Sequence, residues 1–598
     1  MRFLAAYAAS EGAWNAKVAR IFDAARSLGV NPSLEGPRFK IAIAGDEPIV
    51  PIAGRRGLVL GALFQRTGPL DAVETLDAGV SDRIVRTAGQ SLIDDFWGGY
   101  LAFVLEADGA GVHVLRDPSG GTPCFHLRQG GVTYLVSDVA LAFDLGLVDG
   151  SLDWSFVAHH LAFPGLRTAR TGLVGVSELI AGARLTLAPI GETEACCWTP
   201  WTFAHPDRRR HDQGEAVERL RAETRRCVGA WASRSRSILL ELSGGLDSSI
   251  VAACLEAALA PVHCLTVTTP HLGADERAYA RRVAEQIGRP WTVVPLDAAA
   301  ADLTAAWPTR LARPGLNVLQ RALDHAVVDV ARQVDADAIF SGAGGDSVFC
   351  YLDTAAPAAD ALLAFGPGRR FAGAVADLAR LHQCTVWRAG GLALRKALKP
   401  APKVWRGDPS FLSQAAASTP PQSHPWFPGP AGALPGAREQ VASIMGLQST
   451  SEGNGRSSVG AVRHPLLSQP LVELCLSLPS WMWIAGGRNR AIAREAFAGS
   501  LPAAILSRKT KGDFTGFDAE VFERQRGVLR ERLLDGALAA QGLIDRPAVE
   551  RFLAAPLRPR DSRFFRLFVA ADVETWIESW AAGPSRAAGL RRGDLGGA

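Results

Sequence analysis

Apolar positions along this chain fall into two kinds of run. Short unbroken runs end at glycine or an acid, and they alternate with stretches in which apolar residues recur every three or four positions. The middle of the chain is the most regular. Ile238-Leu239-Leu240-Glu241-Leu242 reads as a buried strand, and it gives way at Gly244 and Gly245 to Ile250-Val251-Ala252-Ala253-Cys254-Leu255, expected as helix. Residues 262–268 read as the next strand. Residues 274–287 place Tyr279, Val283 and Ile287 at i, i+4 and i+8 with Gly288 just beyond, which predicts a helix. Trp291-Thr292-Val293-Val294 and Ala338-Ile339-Phe340 read as further strands. Strands that alternate with helices predict a parallel sheet with right-handed crossovers.

The first two hundred residues have a different rhythm. Residues 100–106 and 112–116, joined by a turn at Asp108-Gly109, predict a hairpin. Asp117-Pro118-Ser119-Gly120 turns the chain again, and residues 134–137 read as another strand. Residues 1–7 form a short apolar run that soon meets Glu11, expected as a first strand rather than a signal peptide. The expected organisation is a β-rich α+β domain over residues 1–205, followed by an α/β domain over 206–598. Between about residues 355 and 455 the pattern fades, broken by Pro400-Ala401-Pro402 and by the prolines of residues 420–425. Residues 452–458 read as a loop.

Composition narrows the classes. A chain of 598 residues exceeds one core, and a net charge of +4 gives no basic field for nucleic acid. The arginine patches at Arg208-Arg209-Arg210 and Arg591-Arg592 read as solvated surface or tail. No apolar run reaches the ~18 residues of a membrane span. Nine cysteines without a CxxC pair, and twelve histidines without HExxH, indicate neither a disulfide frame nor a zinc site. The cytoplasm is the expected compartment.

The candidate chemistry sits at Ser243-Gly244-Gly245-Leu246-Asp247-Ser248-Ser249. Two glycines allow a tight turn and close backbone approach. The helix that follows aims its positive end and unpaired amides at a ligand, so an anion is expected, most simply a pyrophosphate group. The segment lacks the Gly-Lys-Ser/Thr of a Walker A loop and the GxGxxG of a dinucleotide fold. SGGLDSS resembles the pyrophosphate loop of the ATP-pyrophosphatase superfamily, which implies adenylation of a carboxylate by ATP. Ser341-Gly342-Ala343-Gly344-Gly345-Asp346 resembles the SGxGGD element of asparagine synthetases. The two resemblances imply a nucleotide site built from Ser243, Gly244, Gly245, Asp247, Ser248, Ser249, Ser341, Gly342, Gly344 and Gly345. Asp247 and Asp346 would hold Mg²⁺ against the phosphates. The same family places Leu242 and Val267 at the adenine.

The N-terminal region resembles the glutaminase-like (Ntn-type) domain of the same enzymes at Arg116-Asp117, Gly120, Pro123 and Ser137-Asp138. That glutaminase uses a cysteine at position 2, whereas position 2 here is Arg2 and the first cysteine is Cys124. The domain is therefore expected to be dead as a glutaminase and to serve as a scaffold or a docking surface. Further on, residues 463–473 stand where asparagine synthetases have R-x-P-F-L-D, with Ser468 in place of the acid. Residues 487–494 resemble the family's K-x-x-L-R helix. Residues 507–514 resemble its R-x-K-x-G-F loop, with the spacing off by one, which makes Lys511 the preferred catalytic cation and Lys509 the second candidate.

Three outcomes use this architecture: asparagine synthesis, β-lactam closure and lasso-peptide closure. The missing cysteine and Ala343, where asparagine synthetases have glutamate and β-lactam synthetases tyrosine, point away from the first two. Pro465-Leu466-Leu467-Ser468-Gln469-Pro470-Leu471-Val472-Glu473 resembles the PLLSQPLVE stretch of lasso-peptide cyclases. That resemblance implies adenylation of an Asp or Glu side chain in a ribosomal core peptide and attack by the peptide's own α-amine. It also implies ATP and Mg²⁺ as cofactors, and a leader-peptide protease and a leader-recognition protein as partners. A small-molecule amide ligase and an inactive nucleotide- or partner-binding protein are the alternatives.

Overall fold

A computed structural model describes residues 1–581 apart from 46, 272, 274, 308, 316–317, 401, 403–404, 449–454 and 510–511. The N-terminal part is built on two six-stranded antiparallel sheets. One runs Val176–Glu178, Phe125–Gln129, Val132–Val136, Arg2–Ala8, Phe39–Ala44, Asn31–Glu35. The other runs Gly191–Cys196, Ala183–Ala188, Val112–Arg116, Phe96–Leu105, Gly57–Gln65, Ile49–Ile52. Alternate residues of both point inward. Phe3, Tyr7, Phe39 and Ile41 of the first sheet meet Leu58, Leu60, Phe103, Val114 and Leu185 of the second in one dry layer. Helices cover the outer faces: Ala16–Ser27 packs on the first sheet, and Ala78–Arg86 and Gln90–Asp95 pack on the second.

The helix Gln213–Ala232 then leads into a five-stranded parallel sheet. Its order is Trp291–Pro295, Val262–Thr268, Ile238–Glu241, Ala338–Ser341, Ala461–Arg463. Ile238, Leu239 and Leu240 of the middle strand are fully buried, as expected of a strand covered on both faces. The expected fold class, a β-rich α+β part followed by a parallel α/β sheet, is the one observed. Of the helix expected over 274–287, Arg277–Gln286 is helical, and residue 274 lies outside the described residues. The fifth strand, Ala461–Arg463, is new to the picture; three residues are too few to show a period. Where the pattern faded, helices Ala356–Phe365, Arg369–Leu381 and Val386–Leu398 pack on one another around Ala358, Leu378 and Ala393. Arg369–Leu381 and Val386–Leu398 each carry an apolar face at helical spacing, whereas Ala356–Phe365 is apolar nearly all round and shows little contrast.

Candidate active site

The middle strand and its neighbour run in register, with Glu241 opposite Ser341, so their glycine turns leave the carboxyl end of the sheet side by side. The turns touch. A Cβ on Gly342 would stand 2.4 Å from the Ser248 amide nitrogen, and one on Gly345 would stand 2.5 Å from Asp247 Cγ. Gly244 has φ +73°, and its Cβ would meet the Ala280 nitrogen at 2.5 Å. These glycines are required by close approach, and by a left-handed turn at Gly244.

The helix Leu246–Leu255 starts at Gly245 with no side-chain cap, so its first amides face the cleft. Ser243 Oγ accepts from the Gly245 amide at 3.2 Å and lies 3.0 Å from Ser248 Oγ. Ser249 Oγ is buried and has no hydrogen-bond partner among the described residues. A cavity of about 540 Å³ opens here, walled by both turns. Leu242 is buried, and its carbonyl accepts from Thr266 Oγ1 at 2.6 Å; Val267 is half-buried in the sheet core. Neither lines this cavity.

Asp247 and Asp346 converge. Arg490 Nη1 donates to both Asp247 oxygens, at 2.9 and 3.0 Å, and to Asp346 Oδ1 at 2.6 Å. Arg490 sits at φ +50°, directly before the helix Ala491–Ala496, and its guanidinium lies 5.2 Å from the Tyr351 ring centre. Three more arginines ring the cavity. Arg456 pairs with Glu241 and Asp324, both at 2.9 Å. Arg508 pairs with Glu276 at 2.7 Å and lies over the Tyr279 ring. Arg494 is pushed down to about 10 by burial and by Arg490 and Arg488 nearby. A cavity rimmed by arginines and floored by a helix N-terminus suits a polyanion.

Sequence reading held Arg490 and Arg494 in the stretch at 487–494 and Arg508 in the one at 507–514 but gave them no role, because single arginines carry no spacing signal. Arg456 even fell in the run read as a loop. Residues 452–454 of that run lie outside the described residues, while Gly455–Ser458 forms a short 3₁₀ turn anchored by buried Arg456. Of the two candidate lysines, Lys511 lies outside the described residues. Lys509 is exposed and lines a separate outer hollow with Tyr279 and Arg282.

The two carboxylates that share one cation also fit Mg²⁺. Both point to one spot, and among the described residues no third His, Cys, Asp or Glu joins them. Such a pair leaves most of the coordination sphere to phosphate and water, as Mg²⁺ prefers.

The segment 463–473 does two jobs. His464 lines the arginine-rimmed cavity, and its Nδ1 lies 2.9 Å from Ser341 Oγ. Beyond it the segment fastens the N-terminal sheets to the parallel sheet. Glu473 takes both Arg66 guanidinium nitrogens (2.6 and 3.0 Å) and Trp198 Nε1 (2.8 Å); Gln469 Nε2 donates to the Ile93 carbonyl. Ser468 Oγ, in the place of the family's acid, accepts from Trp231 Nε1 at 3.1 Å. A second cavity, of about 230 Å³, lies along this junction and shares Leu447, His464 and Leu467 with the first.

The glutaminase-like residues persist as structure. Asp117 accepts from the Tyr100, Ser119 and Gly121 amides, and Arg116 pairs with buried Glu178 at 2.6 Å. Arg2 pairs with Asp138 at 3.3 Å. Cys124 is fully buried and its thiol is pushed up to about 12.

No helix among the described residues is long and apolar enough to cross a membrane. Two solved structures align at low similarity. They are the allosteric regulatory enzyme of purine biosynthesis (TM-score 0.22, 9% identity, 57% of this chain and 89% of that one) and the glutamine phosphoribosylpyrophosphate amidotransferase from B. subtilis complexed with ADP and GMP (TM-score 0.20, 9% identity, 57% and 81%). No curated protein matches. The asparagine synthase family model matches residues 219–578, which hold both glycine turns, the two aspartates and all four arginines. The chain belongs to the asparagine synthase family and is an ATP-dependent, AMP-forming carbon–nitrogen ligase.

Proposed function

We propose that this ligase closes a macrolactam in a ribosomal peptide of the lasso type. It adenylates an Asp or Glu side chain with release of pyrophosphate, and the peptide's N-terminal amine then displaces AMP. The observation that carries this reading is Ala343, which stands at the variable position of the Ser341–Asp346 turn with only a methyl group to offer. An α-amine with a pKa of about 7.7–8.0 is partly neutral at cellular pH, so it suits a site without a strong acidic or phenolic base there. The PLLSQPLVE stretch at residues 465–473 supports the same assignment.

In this reading residues 1–205 are a scaffold and residues 206–598 the synthetase. Ser243, Gly244, Gly245, Ser248, Ser249 and the turn of Ser341, Gly342, Gly344 and Gly345 cradle the phosphates of ATP. Leu242 and Val267 back the adenine. Asp247 and Asp346 hold Mg²⁺, which would neutralise phosphate charge when bound. Lys511, or Lys509, supplies a further cation as charge builds on the departing pyrophosphate. Holding both peptide ends in one cavity makes closure unimolecular, an advantage of up to about 7–11 kcal/mol. A leader-peptide protease and a leader-recognition protein deliver the peptide, in the cytoplasm where ATP is.

The test is mass spectrometry of a precursor peptide incubated with this protein, the leader protease, the recognition protein and Mg-ATP. Loss of one water from the leaderless peptide, dependent on ATP and on Asp247, is the expected result. Leader removal without water loss, while the protein makes AMP with free amino acids, would assign it instead as a small-molecule amide ligase.

A further inference from the structure

The reaction leaves one proton without a named acceptor. When the amine attacks the acyl-adenylate, a C–N bond forms and the carbonyl carbon–oxygen bond to AMP breaks. AMP leaves with the electron pair, and the new amide nitrogen must shed a proton. Ala343 cannot take it.

We infer that His464 Nε2 accepts this proton. The inference rests on the amide-ligase reading and adds a residue that the sequence pattern did not single out. His464 follows the strand Ala461–Arg463 at the carboxyl end of the parallel sheet, beside the Ser341 turn. Its Nδ1 lies 2.9 Å from Ser341 Oγ, and the same oxygen accepts from the Ala343 amide at 3.2 Å. A serine oxygen has two lone pairs, so it has room for the Nδ1–H beside the Ala343 N–H. In the tautomer that donates from Nδ1, Nε2 presents a lone pair. Among the described residues Nε2 makes no hydrogen bond. The imidazole lines both the arginine-rimmed cavity and the junction cavity, so it borders the space open to both.

The surrounding charges suit an acceptor. Burial, then Arg456 and Arg463, pushes His464 down to about 4, so the ring is neutral before reaction. Arg456 is itself held by Glu241 and Asp324, and Arg463 by Glu47 at 3.5 Å. Across the arginine-rimmed cavity stand Arg490 with Asp247 and Asp346; across the junction cavity stand Arg116 and Arg167 with Glu178. A bound adenylate adds negative charge beside the ring and raises its basicity toward that of free imidazole.

The test separates the two halves of the reaction in the full-length protein. His464→Gln and His464→Ala are assayed for ATP–pyrophosphate exchange and for amide closure. The probes are synthetic peptides with a free N-terminal amine and an internal Asp or Glu. Closure is expected to fall about 10²–10⁴-fold, with exchange falling at least tenfold less. The lost closure should recover as pH rises through the amine pKa, and partly with added imidazole in the alanine variant. Equal loss in both halves, or unimpaired closure, would overturn the assignment of His464 and leave the ligase reading standing. Failure of the wild-type protein to support exchange with any such peptide would overturn the macrolactam reading and this inference together.

Discussion

Asp247 is the residue on which the account depends most. Its carboxylate meets Arg490 and stands against Gly345, so it is held by charge on one side and by backbone on the other. Asp247→Ala is expected to reduce ATP–pyrophosphate exchange at least about 10²–10³-fold, the scale seen when a preorganised electrostatic group is removed, with the fold intact by circular dichroism. A second expectation concerns space rather than charge. Gly345→Ala puts a methyl 2.5 Å from Asp247 Cγ, so it should cost about 1–3 kcal/mol in denaturant unfolding and abolish exchange. Wild-type exchange in this variant would show that the two turns do not need their observed contact. At this scale the sequence was highly legible, because SGGLDSS and SGAGGD concentrate glycine, serine and acid in few residues. It held Arg490 and Arg508 within family-like stretches without giving them a role, and it left Arg456 in a run read as a loop. These arrive from distant segments, and each reads alone as an ordinary surface arginine.

At the scale of elements, one buried carboxylate ties three segments together. Glu178 ends the strand Val176–Glu178 and is met by Arg116, Arg167 and Arg313, the last from beyond the first strands of the parallel sheet. Burial pushes its carboxyl up, but the guanidiniums of Arg167, Arg313 and Arg116 outweigh burial and hold it well below the usual range. A carboxylate with a depressed folded-state pKa stabilises the fold at pH above its unfolded value, about 4.3, and loses that contribution as pH falls through the folded value. Glu178→Gln leaves three buried guanidiniums short of their anion. It is expected to cost about 3–5 kcal/mol at pH 7, measured by urea unfolding, and less at pH 3, below the unfolded value of about 4.3. An equal cost at both pH values would mean that the cluster acts through shape and not charge. None of this was readable from sequence, since Glu178 and Arg313 stand far apart in the chain and belong to no repeating pattern. The long parallel strands and the 100–116 hairpin were readable, because their apolar periods are strong. The strand Ala461–Arg463 was not, because it is held by its neighbour and carries no period of its own.

Across the whole molecule, the N-terminal sheets keep the glutaminase-like turn at Arg116-Asp117, while position 2 carries Arg2. Of the cysteines within residues 1–205, Cys124, Cys196 and Cys197 all have thiols pushed up by burial, Cys124 to about 12, so none supplies a ready thiolate. The purified protein is expected to release no glutamate from glutamine, with or without ATP, in a coupled glutamate assay. Glutamate release would restore ammonia as the nitrogen source. What the N-terminal part retains is a clamp: Glu473, on the helix Gln469–Leu476, joins Arg66 and Trp198 across the junction, and that helix follows closely on His464 and Leu467 at the arginine-rimmed cavity. The PLLSQPLVE stretch was legible as a family mark. Its physical role, holding two sheet systems in one orientation around a shared cavity, emerged only from the fold.

The central claim is that a carboxylate is joined to the α-phosphate of ATP at the two glycine turns. Transfer of a heavy-oxygen label tests it most directly. A peptide with its side-chain carboxylate fully labelled is turned over with Mg-ATP, and AMP and pyrophosphate are analysed by mass spectrometry. The account predicts one labelled oxygen in AMP and none in pyrophosphate. Label appearing in inorganic phosphate with ADP, or in no phosphorus product while the amide still forms, would contradict it.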